Sequence, residues 1–359
     1  MTEMIRKKCE LFERNRAAIS RKFLLEKAMI SIAAGLIFTG AEKEADIERL
    51  TECRGILNKH TGFFSEFRDT IKTVLLSEMA LSDDAEQYIE DVKTVYQKLR
   101  KGHFKDNSYM VLAAMLLCDF GRQNDADAVV EKHNEMMSKM DKLHPILTDS
   151  EDISYVILLA LSDRPTDIIL NDMNECLDYL KNSCKIKVGS DSVQRLSEIL
   201  ALTDGDIRAK CDKVISLYDA LQQNKEVDTD GYIFSSLGLL INTDESAESI
   251  INGIFEAYEY LEDCNGFNHN PDGKKLRLMV AELLVADCCG TGAAMISNAF
   301  INNALSVIKA QQVAAMVTVI SNVLSAVIGA AADKDSTETE SSDTAQDEQQ
   351  TTESGKAQG

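Results

Sequence analysis

Tryptophan is absent from this chain of 359 residues, aromatics make up only 6% of it, and proline occurs three times, at Pro145, Pro165 and Pro271. So little proline leaves long stretches free to be helical, because a proline inside a helix costs about 3 kcal/mol. The nine cysteines include no Cys-x-x-Cys pair, and most fall at apolar positions of predicted helices, where a thiol packs as a small hydrophobe. Their odd number and spacing speak for reduced thiols in a reducing, cytoplasmic setting rather than a disulfide framework. The opening Met1–Lys27 mixes charges with scattered apolar residues and shows no secretory leader. Cations are the scarcer charge: 38 Lys and Arg stand against 59 Asp and Glu, a net −21. From Asp333 onward the chain carries −6 of this, eight acids against Lys334 and Lys356, leaving −15 for the rest. A field of that sign repels phosphate backbones, so no nucleic-acid partner is expected.

Helix-forming residues dominate, and their apolar positions recur in paired segments joined by short polar turns. One landmark closes the first helix of a pair. It reads Ala80-Leu81-Ser82-Asp83, Ala160-Leu161-Ser162-Asp163, Ala201-Leu202-Thr203-Asp204 and Ile241-Asn242-Thr243-Asp244. The aspartates step by 80, 41 and 40 residues, so one unit lies within the first gap; Tyr109–Met140 supplies it. A second landmark ends the second helix: Tyr96…Leu99, Met137…Met140, Leu177…Leu180, Tyr218…Leu221 and Tyr258…Leu261. Its last members step by 41, 40, 41 and 40. Ala28–Phe38 with Ile47–Leu57 makes a weaker copy upstream, and Leu276–Ala286 another first helix downstream.

The turns suit this plan. Ser82, Asp83, Thr203, Asp204, Thr243 and Asp244 are types that cap a following helix. Asp83-x-x-Glu86 has capping-box form, and Pro165 suits an early helical position. Lys98, Arg100 and Lys101, or Lys139 and Lys142, place cations at the closing dipole of a second helix. A single hairpin of this kind cannot bury its apolar stripe, so neighbours must stack. The pattern predicts an all-α, right-handed α-solenoid of about 40-residue helical-hairpin repeats, stacked as in HEAT or TPR arrays. Residues 1–26 are expected as an N-terminal capping helix and 27–290 as the repeat domain.

Leu11-Phe12-Glu13-Arg14-Asn15, the recurrent Ala-Leu-Ser-Asp segments and the Tyr-x-x-Leu helix ends together resemble the uncharacterised bacterial "domain of unknown function 4003" family, over about residues 5–290. The resemblance implies no assigned activity, active site or partner.

Residues 291–332 are rich in Ala, Val and Ile, with Lys309 as their only charge. Within them 313–332 is uncharged for twenty residues, long enough to cross a bilayer, yet Ser321, Asn322 and Ser325 interrupt it and no aromatic belt flanks it. Small-residue helices covering the end of the stack are the plain reading; a membrane-contacting or self-associating helix is the functional one. Residues 333–359 lack any large apolar side chain and are expected to be a disordered acidic tail.

Candidate chemistry is sparse. His60, His103, His133, His144 and His269 form no His-x-x-x-His or His-Glu-x-x-His pattern. Asn268-x-Asn270-x-Asp272-Gly273 imitates the front of a calcium loop, but the twelfth position holds Met279 instead of a bidentate acid. Asp228-x-Asp230-Gly231 is shorter still, and both read as linkers. Gly290-Thr291-Gly292 follows a predicted helix and lacks the third glycine and strand of a phosphate turn. Cys288-Cys289 has no evident activating base and reads as packing at a helix end. The eight cations of the first 27 residues, Arg6 to Lys27, would suit an anionic surface or acidic faces of the same array, but they interleave with Glu3, Glu10, Glu13 and Glu26 and read as a solvated capping helix. Tyr96, Tyr218 and Tyr258 recur at one position and read as core.

No catalytic, cofactor or metal residue is therefore assigned. The expected function is a non-catalytic scaffold whose concave face takes a protein or peptide partner. The alternatives are a membrane-associated protein held through 313–332, or an enzyme whose site is assembled from distant units.

Overall fold

The computed structural model describes residues 2–289 apart from 24–27, 63–64, 69–70, 102–106, 145–147, 149–151, 184–187, 203–204, 225–226, 228–232, 242, 244, 265–266 and 268–272. Among the described residues there are fourteen α-helices and no strand. They are α1 (Thr2–Lys22), α2 (Ala28–Gly40), α3 (Ile47–His60), α4 (Lys72–Leu81), α5 (Ala85–Arg100), α6 (Ser108–Asp119) and α7 (Ala126–Leu143). Then follow α8 (Asp152–Leu161), α9 (Thr166–Lys181), α10 (Ser190–Leu200), α11 (Ile207–Gln222), α12 (Ile233–Ser236, continued as a 3-10 turn to Leu240), α13 (Ala247–Tyr260) and α14 (Gly273–Cys289). Helices α5, α7, α9, α11 and α13 begin 41, 40, 41 and 40 residues apart.

Two kinds of helix alternate. In α5 the buried residues are Ala85, Ile89, Val92, Val95, Tyr96 and Leu99, a stripe at spacings of three and four with solvated charge opposite. Each such aliphatic side chain contributes about 2 kcal/mol on burial. In α8 every residue from Asp152 to Leu161 is buried, as is Ser108–Leu117 in α6. Helices of the first kind have one face to water and form an outer layer; the second kind lie within it.

The outer helices touch one another in order, α1, α3, α5, α7, α9, α11 and α13, and α13 touches α1 again. The two ends of the row therefore meet. Helix α1 packs on α2 and also on α13 and α14. Its approach to α2 is close, since a Cβ at Gly35 would stand 3.1 Å from the backbone nitrogen of Arg16. Buried Asn15 ties α1 to the turn after α2, donating to the Lys43 carbonyl at 3.0 Å and accepting from the Ala45 amide at 2.9 Å.

The inner helices follow suit. Helix α2 touches α4, α6 touches α8, α8 touches α10, α10 touches α12, and α12 touches α14. The 3-10 turn Glu66–Arg68 lies against both α4 and α6, and α1 lies against both α14 and α2.

The capping reading needs one correction. For α5 the N-cap is Asp84, one residue beyond Asp83, accepting from the amides of Glu86 and Gln87 at 3.0 Å. The caps of α11 and α13 are likewise Asp206 and Ser246. Ser82 and Asp83 separate the end of α4 from the α5 cap, and the caps of α11 and α13 likewise fall one or two residues after the Ser/Thr-Asp landmark. Thr203, Asp204 and Asp244 lie outside the described residues, and Pro165 occupies the cap position immediately before α9.

A second device recurs. The seventh residue of α1, α7 and α11 is a lysine. Lys8 donates to the Thr39 carbonyl near the end of α2, Lys132 to the Arg164 carbonyl (2.8 Å) and that of Ser162 just beyond α8, and Lys213 to the Ile241 (2.6 Å) and Thr243 carbonyls just beyond α12. In α9 the seventh residue is Asp172, which pairs with Arg164, and Arg164 donates to the Ala201 carbonyl that closes α10. A cation thus satisfies orphan carbonyls at the negative end of an inner helix.

Candidate functional site

The densest buried polar chemistry lies on the inner helices. Gln194 of α10 donates to Asp152 Oδ2, at the start of α8, at 3.1 Å and to Glu198 Oε1 at 3.5 Å. Glu198 hydrogen-bonds Asp152 as well, and all three residues are nearly closed to water. Burial, reinforced by the adjacent Asp152 carboxylate, lifts Glu198 well above the usual glutamate value, which favours its protonated form. One shared proton lets two carboxyl groups pair instead of repelling.

Glu282 of α14 is fully buried and accepts a hydrogen bond from the Ser236 hydroxyl at the end of α12. Burial raises this acid too, with the serine bond opposing it in part. Among the described residues no hydrogen-bond partner meets Glu198 Oε2 or Glu282 Oε1. A third site joins α4, α5 and α6: Tyr88 donates to Asp119 Oδ1 at 2.8 Å, and burial together with the charge of Asp119 raises Glu78. These groups tie neighbouring helices together through buried polar contacts.

Among the described residues no group of three or more His, Cys, Asp or Glu side chains is placed to hold a metal ion. The histidines are dispersed. His60, closing α3, bonds Glu90 of α5, and His144, just past α7, bonds Asn174 of α9 at 2.7 Å. His133 is buried in α7, near Asn134, while His103 and His269 lie outside the described residues. So do Asn268, Asn270, Asp272, Asp228, Asp230, Gly231 and Gly290-Thr291-Gly292. Cys288 is buried and pushed up to about 12 by that burial, and Cys289 is raised by the same cause, which opposes thiolate formation.

The three tyrosines are packed side chains. Tyr96 meets Phe67 edge-on at 4.9 Å, Tyr218 meets Phe234 edge-on at 5.4 Å, and the Arg277 guanidinium lies 3.8 Å above the Tyr258 ring. The N-terminal cations pair within the fold, Arg6 with Glu10, Lys7 with Glu3, Arg14 with Glu44 and Arg16 with Glu13. The eight cysteines among the described residues are free thiols, and Cys176 and Cys211 bring their sulfurs to 3.4 Å between α9 and α11.

On the outside, adjacent outer helices leave grooves. The one between α9 and α11 is lined by Asn171, Asn174, Glu175, Tyr179, Arg208 and Asp212, among others. Tyr179 donates to Asp212 at 2.7 Å across it, and Arg208 reaches Glu175 at 3.3 Å.

The buried acids were missed by motif reading, although a faint signal was present. Glu78, Glu198 and Glu282 each interrupt an apolar stretch, as in Val280-Ala281-Glu282-Leu283-Leu284. Their partners come from other helices, so no local spacing marks them. Among the described residues no helix is long and apolar enough to cross a membrane, and 313–332 lies outside them.

The chain belongs to the family described as protein of unknown function (DUF4003), whose model matches residues 15–313. That match runs past the end of α14 and into the apolar segment, farther than the resemblance in the repeat landmarks. No curated protein and no solved structure matches the chain.

Proposed function

We propose that this protein is a non-catalytic helical-repeat scaffold that holds a protein or peptide partner on its outer layer. The observation that carries the reading is the groove between α9 and α11, where asparagine, tyrosine and paired charges line the space between the two helices. The 41- and 40-residue steps of the outer helices and the recurring lysine caps support a repeated hairpin unit. Because the row closes on itself, the partner surface moves from a concave inside to the outside. Glu175, Asp178 and Asp212 outnumber Arg208 in the groove, and the whole chain is acidic, so the partner segment is basic.

Quantitative co-purification under native conditions tests this. A partner held by the wild-type chain and lost from the Asn174→Arg/Asp212→Arg variant, with folding unchanged by circular dichroism, is the expected result. Equal recovery from both chains, or none from either, counts against the reading.

A further inference from the structure

We propose that Cys176 and Cys211 are a modification site, a dithiol that peroxide closes to a disulfide between α9 and α11. Their sulfurs stand 3.4 Å apart, and both side chains are fully buried. The two residues lie 35 positions apart in sequence, one in each of two neighbouring outer helices. A lone buried thiol is simply a small hydrophobe. Two that touch across a helix interface also meet the first condition for a bond. A disulfide holds its sulfurs at about 2.05 Å, so closure needs an approach of about 1.4 Å, shared between side-chain rotation and a slight drawing together of the helices.

The groove between these helices gives the oxidant its approach. Tyr179 lies three residues from Cys176 on α9, and Arg208 and Ile215 lie three and four residues from Cys211 on α11; all three line the groove. Residues so spaced share a helix face, which sets the sulfurs behind the groove. The Tyr179–Asp212 hydrogen bond and the Arg208–Glu175 pair span it at the surface. Exposed contacts of this kind are weak, and their loosening admits a small molecule. The hydrogen bond with Cys211, then burial, holds the Cys176 thiol far above its usual value, while the Lys210 ammonium pulls the other way. The pair is therefore slow to react, but its product is specific. One thiol gives up its proton and its sulfur attacks a peroxide oxygen, breaking the O–O bond; a sulfenic acid forms and the departing hydroxide is protonated to water. The second sulfur then displaces the sulfenic hydroxyl, which leaves with the second thiol proton as water. Two thiols lose two electrons and two protons, and one hydrogen peroxide becomes two waters. The bond fixes the spacing of α9 and α11, and it needs no partner in the groove.

Hydrogen peroxide added to the full-length chain at neutral pH tests this. Remaining thiols are trapped with N-ethylmaleimide, and the chain is digested without reduction and mapped by mass spectrometry. The Cys176–Cys211 link is expected within one chain, about tenfold sooner than any other disulfide, because the two groups are already in contact. The helical circular dichroism should be unchanged as it forms, and dithiothreitol should restore both thiols. Thiols that survive until the helices melt overturn the inference. So does oxidation of either cysteine to a sulfinic acid without a bond to the other, or a spread of disulfides among the nine cysteines with no preference for this pair.

Discussion

Lys8 and Asp287, 279 positions apart in sequence, form an ion pair of 2.5 Å with both side chains mostly enclosed. Lys8 also reaches Glu42 at 3.2 Å, so one ammonium joins the first helix, the turn after α2 and the last inner helix. Burial alone would depress this lysine; the two carboxylates more than offset it and leave it raised.

Lys8→Met leaves Asp287 enclosed without its counter-charge and is expected to lower stability by about 2–3 kcal/mol in urea denaturation. Adding Asp287→Leu should recover most of that loss. Lys7→Met, which removes only an exposed pair with Glu3, should leave the midpoint where it was. Equal effects of the two lysine variants would show that the ends do not depend on this contact.

Stability should fall as pH rises above the ordinary glutamate value of 4.5. Glu198 and Glu282 have folded-state values raised above the unfolded one, so the native chain binds more protons over that interval. Their contribution is whole below 4.5 and is lost as pH climbs through the raised values. Glu282→Gln keeps the shape without the titration and should flatten the slope in urea titrations from pH 5 to pH 8. An unchanged slope would show that Glu282 ionises freely in the fold.

Lys132→Met removes the donor that meets the Ser162 and Arg164 carbonyls and is expected to cost about 1–2 kcal/mol. Thermal melts should rank it well below Lys139→Met, whose lysine reaches only the side chains of Glu135 and Asp167 at the surface.

Gly238→Ala places a Cβ 2.8 Å from Leu196 Cδ1 and 2.9 Å from Ile199 Cγ2, between the turn after α12 and α10. Overpacking of this kind is expected to cost about 1–3 kcal/mol. Gly55→Ala, inside α3 with open space around it, should instead gain about 0.5–1 kcal/mol. Denaturation midpoints moving in the same direction would contradict the packing around Gly238.

The helices were legible because their signals are local. Apolar spacing along Ala85–Leu99 marks α5 without knowledge of any neighbour, and Asp206 or Ser246 caps a helix only a few residues away. The candidate site was not legible. Asp152 meets Gln194 across 42 residues and Ser236 meets Glu282 across 46, and the landmarks carried no trace of either pair. The lysine caps escaped notice for the same reason: their acceptors are backbone carbonyls, which every residue carries.

Sequence alone determined that this chain is helical and where most helices begin and end. Those properties follow from side-chain spacing and capping within a few residues. Only the tertiary structure decided that the row returns to its start and that two glutamates are sealed inside it. Closure is a sum of small rotations between neighbouring hairpins, and no single hairpin encodes the total. Whether an acid is solvated or enclosed depends on what the far end of the chain brings against it.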